Sequence, residues 1–116
     1  LVREELSRQK IVSSKQMALL PAGRFVRTAG LVLIRQRPGT ASGIVFETIE
    51  DETGIVNLVI RPDIYDRHRQ PARHAHLLRA DGYIQREGKV THLIAKRLYD
   101  LSHLLNDLEH SSRDFH

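Results

Sequence analysis

The sequence predicts an all-β domain, a small five-stranded barrel with one short helix between its third and fourth strands. Three observations carry this. The acidic, glycine-closed turn Asp51-Glu52-Thr53-Gly54 lies between the β-branched runs Ile44–Ile49 and Ile55–Ile60, the strongest hairpin signal in the chain. Further strand-like runs precede and follow it, and strand character disappears between residues 61 and 75.

In chain order, residues 3–10 read as a short polar helix, and a second begins after Ser13, which forms a capping box with Gln16. Ile11 or Val12 staples its first turn, and Pro21 with Gly23 ends it. The first strand runs from Phe25 to Ile34, with Gly30 marking a bulge or sharp bend where it curves to serve both sides of a barrel. Arg35 to Gly43 is a polar loop rich in breakers, and the hairpin of strands two and three follows. Pro62 and Asp63 start a short helix, while Pro71 argues against one long helix. Strand four covers His76–Gln85, with Leu78, Ala80, Gly82 and Ile84 on its dry face and Arg79, Asp81 and Gln85 on its wet one. After the turn Arg86-Glu87-Gly88-Lys89, strand five covers Val90–Leu98. Three strands, a short helix and two more strands is the order of the oligonucleotide-binding (OB) barrel. The expected division is a helical lead-in over 1–23, the barrel over 24–98 and a polar tail over 99–116, with a helical turn through Leu101, Leu104, Leu105 and Leu108.

A chain of 116 residues buries one core. With no cysteine it has neither disulfides nor thiolate metal sites, and an intracellular, cytoplasmic home is expected. No apolar run approaches the roughly 20 residues that cross a bilayer, so no membrane partner is expected. The first residues are no signal peptide, and a chain opening on leucine is expected to be a piece of something longer. The net charge of +4 is concentrated in the middle: residues 24–98 hold thirteen Lys/Arg against eight acids. Such a surface attracts phosphates, and it equally serves to keep a domain in solution.

No catalytic constellation is present. The acids are expected in turns (Glu50, Asp51, Glu52, Glu87) or on exposed strand and helix positions, and no P-loop, Gly-Ser elbow or His-Glu-x-x-His occurs. Catalytic residues: none; cofactors: none. His68, His74 and His76 lie close together, but a zinc would have to recruit Asp66 or His92 as well, so no metal is expected and phosphate or base contacts are favoured.

This fold keeps its ligand over strands two and three, between the loops joining strands one to two and four to five. Those loops carry Arg35, Gln36 and Arg37 at one end and Arg86 with Lys89 at the other. Gly39 and Gly43 allow the first loop to approach a phosphate. Phe46 stands either on the ligand surface, where it stacks on a base, or in the core. With Val56, Leu58 and Ile60 inward, Asn57 points outward to a base edge. His92, Lys96 and Arg79 are weaker candidates on exposed strand positions.

The segments Val26–Ala41, Phe46–Val59, Gly82–Gly88 and Ser112–Phe115, with the lead-in ending Ala18-Leu19-Leu20-Pro21-Ala22-Gly23, resemble the C-terminal region of the error-prone bacterial DNA polymerase III alpha subunits, the damage-inducible second copy of the C-family replicative polymerase. The Arg35–Ala41 loop and the Ser-Arg-Asp-Phe segment are the specific parts of the match. The resemblance implies a parent DNA polymerase that acts opposite damaged template in SOS mutagenesis, with mutasome accessory proteins and the sliding clamp as partners. The family's catalytic aspartates lie upstream and none maps here; the barrel is implied to contact single-stranded template DNA. Phe46 to Asn57 is also similar to the anticodon-binding barrel of class II aminoacyl-tRNA synthetases, where the Phe stacks on a base and a Gln occupies the Asn57 position. Asn for Gln shortens the reach. A protein-docking barrel in the same polymerase and a tRNA-binding appendage are the alternative readings.

Overall fold

Five antiparallel or parallel strand pairings close on themselves in the order β1-β2-β3-β5-β4, the topology of the OB barrel. The computed structural model describes residues 2–37 and 42–105. The elements are α1 (Val2–Arg8), α2 (Ser14–Ala18), β1 (Phe25–Gln36), β2 (Val45–Asp51), β3 (Gly54–Ile60), α3 (Pro62–Arg67), α4 (Arg69–His74), β4 (Leu77–Glu87) and β5 (Val90–Asp100). The loop residues 38–41, Gly39 among them, and the segment Ser112–Phe115 lie outside the described residues, as does Leu108; residues 102–105 form a helical turn.

The hairpin forms because its turn is doubly held. Asp51 Oδ1 accepts the amides of Thr53 at 2.8 Å and Gly54 at 3.0 Å, which fixes the two-residue connection. The same carboxylate accepts the Ser14 amide on Oδ2 at 2.6 Å, so it also ties the start of α2 to the barrel. Burial acts to raise the Asp51 carboxyl, but bonds from Ser14 and Thr53 outweigh it and hold it below the ordinary aspartate range. The capping box of Ser13 and Gln16 is present, and Met17, from α2, is fully buried in the barrel core.

β1 serves both sides. Its first half pairs with β4 up to Leu31↔Leu77, and its second half pairs with β2 from Leu31↔Glu50. A side chain at Gly30 would lie 2.6 Å from the Glu50 carbonyl oxygen, so glycine is required where β2 crosses close over the bend. The irregularity in register comes later, between Val32 and Ile34. Gly30 is therefore not the bulge; it is the point of close approach to β2.

Inside the barrel, Val45, Ile49, Val56, Leu58, Ile60, Leu78, Ile84, Leu93 and Leu98 form one core. Where one short helix was expected there are two. The chain breaks at His68 (φ −117°, ψ 40°), and Pro71 falls in the first turn of α4, where its missing N–H leaves no bond unmade. Ile64, Ala72 and Ala75 of this pair press into the core and plug that end of the barrel. β1, β4 and β5 each run about two residues past their apolar runs, to Gln36, Glu87 and Asp100. That places Arg35 and Arg86, both expected in loops, inside strands.

Candidate nucleic-acid interface

The turn sets the register of the outer face. Because Asp51 pairs with Gly54, Thr48 must stand opposite Asn57 and Phe46 opposite Val59. The β1–β2 and β3–β5 pairings extend these into two outward rows: Gln36, Phe46, Val59, Ile94, and beside it Ile34, Thr48, Asn57, His92. Alternation puts all eight on one side of the sheet.

Phe46 is 38% exposed, so the ring belongs to the outer surface and not to the core. Leu31, Ile34 and Ile55 are also exposed, giving the face an apolar floor that sequence inspection had not singled out. The Thr48 hydroxyl donates to Asn57 Oδ1 at 3.2 Å. That bond occupies the amide oxygen and orients the amide nitrogen's donors away from it. His92 completes the row, with Nδ1 enclosed and without a partner among the described residues. Arg37 follows Gln36 at one end of the face, its guanidinium 4.5 Å from the Tyr65 ring centroid. Lys89, in the Gly88-Lys89 turn, lies past the opposite end and makes no hydrogen bond or ion pair among the described residues. Lys96 is exposed at the β4–β5 irregularity, unpaired between Ala95↔Gly82 and Arg97↔Asp81.

Two expected lip cations have other work. Arg35 donates from Nε to the Ala72 carbonyl at 2.9 Å and from Nη2 to that of Ala75, satisfying the end of α4, and its Nε stands 3.3 Å from Glu47 Oε1. Arg86 donates from Nη2 to the carbonyls of Met17 at 2.8 Å and Ala18 at 3.0 Å, fastening α2 to the barrel. Both are structural.

Glu47 corrects another expectation. It is not exposed: its position between Val45 and Ile49 points it into the barrel, and neither carboxylate oxygen has a hydrogen-bond partner among the described residues. Desolvation pushes its carboxyl up to about 7, against the opposing pull of Arg35. Arg35, Arg37, Glu47 and Tyr65 border a recess of about 90 Å³ beside the Phe46 row. No group of three or more His, Asp or Glu side chains comes together as a metal site among the described residues.

No protein-family model matches the chain. It is 48% identical over 116 residues, its whole length, to an error-prone DNA polymerase of Pseudomonas aeruginosa and 51% identical, again over its whole length, to that of Pseudomonas fluorescens. Its homologues are error-prone DNA polymerases. An error-prone DNA polymerase 2 of Rhizobium meliloti is 46% identical over 107 residues, or 92% of the chain. The chain spans 11%, 11% and 10% of these relatives' lengths, so it matches one segment of each. Among solved structures, asparaginyl-tRNA synthetase from Pyrococcus horikoshii superposes with a TM-score of 0.65 over 79% of this chain and 23% of that one, at 20% identity. The hypothetical protein ygiW of E. coli gives 0.58 over 78% of this chain and 89% of that one, at 10% identity. Both likenesses are of the fold. No described helix of this chain is long and apolar enough to cross a membrane.

Proposed function

We propose that this segment is the single-stranded DNA binding module of an error-prone DNA polymerase, holding template strand during DNA-damage tolerance and SOS mutagenesis in the bacterial cytoplasm. The polymerase active site lies elsewhere in the parent chain, and the segment itself is non-catalytic and needs no cofactor. The observation that carries the reading is Phe46: an aromatic ring turned out of a closed barrel, in register with an amide and an imidazole one row away. A ring so placed stacks on any base, worth about 1–3 kcal/mol, while Asn57 and His92 supply polar contacts to base or backbone. Arg37 and Lys89, one at each end, attract the phosphates, and Lys96 adds charge at the β5 side.

Titrating the chain with a fluorescent single-stranded oligonucleotide at low and high salt tests this. Salt-sensitive binding that Phe46→Ala weakens is the expected result, and unchanged anisotropy at low salt overturns it. The apolar floor of Leu31, Ile34 and Ile55 supports a second reading, a docking surface for a mutasome accessory protein or the sliding clamp. Capture of such a partner without salt dependence favours it. A preference for RNA over DNA of the same sequence favours a tRNA-binding role.

A further inference from the structure

A second outward cluster occupies the N-terminal half of β1, β4 and the C-terminal half of β5. Asp81 is on the outward side of β4, yet it is fully buried, because arginines cover it. Arg79 grips it with two bonds, Nε to Oδ1 at 3.0 Å and Nη2 to Oδ2 at 2.9 Å. Arg97 Nε stands 3.4 Å and Arg27 Nε 4.0 Å from Oδ2. One carboxylate therefore faces three guanidinium groups, and their excess charge is not neutralised within the cluster. Arg79 is nearly enclosed, but the Arg27 and Arg97 side chains are 41% and 47% exposed. Arg27 Nη1 donates to the Gln9 carbonyl at 3.0 Å, and the side chain stays partly exposed.

Aromatic rings stand among these cations. Phe25 and Tyr83 meet edge to face with centroids 5.1 Å apart, and the Arg97 guanidinium lies 5.4 Å from the Phe25 centroid. Both rings are exposed, at 40% and 44%. Exposed rings beside surplus positive charge suit a polyanion that carries flat apolar groups, the chemistry of an unpaired nucleic-acid strand.

The cluster is joined to the Phe46 face. Phe46 pairs with Val59, Val59 with Ile94, Ile94 with Tyr83 and Tyr83 with Phe25, one unbroken cross-strand row around the outside of the barrel. At about 4.8 Å per strand, Tyr83 is roughly 14 Å from Phe46 along the sheet, a span of a few nucleotides.

We propose that the strand lying on Phe46 continues across β5 to a second stacking subsite, where Tyr83 and Phe25 take bases and Arg97 and Arg27 take phosphates. Arg79 and Asp81 then act as the fixed mount that holds these two arginines apart and facing outward. The inference rests on the single-strand reading above and extends it.

The 116-residue chain, whose barrel closes on its own core, can be titrated with oligo-dT of roughly 4 and roughly 16 nucleotides, the ends of the range one such barrel covers. Phe46→Ala is expected to weaken both. Tyr83→Ala and Arg97→Gln are expected to weaken the long oligonucleotide about tenfold and leave the short one unchanged, with Tyr83→Phe binding as wild type. Arg97→Gln also lowers the salt slope by roughly one for the long oligonucleotide only. Long-oligonucleotide binding that ignores both Tyr83→Ala and Arg97→Gln while Phe46→Ala still fails overturns the second subsite and leaves the first. Absence of binding at either length overturns both. An acidic peptide held through Arg97 in preference to the oligonucleotide assigns the cluster to a protein partner and overturns it as well.

Discussion

At the helix-plugged end of the barrel, Arg35 and Glu47 are committed to the fold, whereas on the outer face of β2 and β3, Phe46 and Asn57 project outward with donors and ring surface to offer. The two regions are adjacent, and Phe46 and Glu47 are consecutive residues on opposite sides of one strand. Residue type alone resolves neither region: Arg35 reads as a ligand contact and Glu47 as an exposed acid, while Phe46 fits the ligand surface or the core. What separates them is strand parity. A residue's side of the sheet decides whether its chemistry is used internally or presented.

Mutating the two regions should therefore give opposite signatures. Arg35→Ala has the largest expected effect on stability, a loss of about 3 kcal/mol by chemical denaturation, because it strips two α4 carbonyls of their donor and leaves Glu47 without its neighbouring cation. A loss under about 1 kcal/mol with weakened DNA binding would move Arg35 back to the ligand site.

Glu47 gives a pH signature. Its carboxyl titrates near 7 in the fold against about 4.5 unfolded, so between those values the folded chain binds more protons, and stability falls as pH rises through that window. Glu47→Gln, which mimics the neutral form, should match wild type near pH 4.5 and exceed it by up to about 3 kcal/mol at pH 8. Equal pH profiles for the two proteins would mean that folding does not shift the carboxyl.

On the outer face the sign reverses. Phe46→Ala should cost about 1–3 kcal/mol of oligonucleotide binding and less than about 1 kcal/mol of stability. Ser13→Ala, at the start of α2, should lower stability by about 1 kcal/mol through loss of the α2 cap and leave binding unchanged. The smallest effect belongs to Lys89→Ala: a fall of roughly one in the salt slope of binding with no change in thermal stability.

Much of this was legible in the sequence. The strand order, the hairpin, the capping box and the inward set Val56, Leu58 and Ile60 follow from alternation and turn chemistry, and these are local properties. The register Thr48↔Asn57 was also within reach, since a two-residue turn at Glu52-Thr53 leaves no alternative. Arg35 and Arg86 were misplaced because apolar content marks where a strand is buried, while backbone pairing continues past it. Whether a cation there finds a carbonyl depends on where α2 and α4 end in space, which no local pattern encodes. Glu47 carried a signal that was passed over: the same alternation that turns Val45 and Ile49 inward turns Glu47 inward too. Asp81 shows the converse, an outward residue buried only because side chains from three strands converge above it.

The barrel is closed by one short parallel seam of three residue pairs, Asn57↔His92, Leu58↔Leu93 and Val59↔Ile94. Its two sides are far apart in sequence, a separation exceeded among the strand pairings only by that of β1 with β4, so zipping them together demands a large loop closure and is favoured as a late step of folding. Asn57 and His92 face each other across that junction. A polymer lying over both acts as a suture: amide protons of β3 and β5 would exchange more slowly under it than those of the β2–β3 hairpin turn, and the molecule would be most rigid while gripping its cargo.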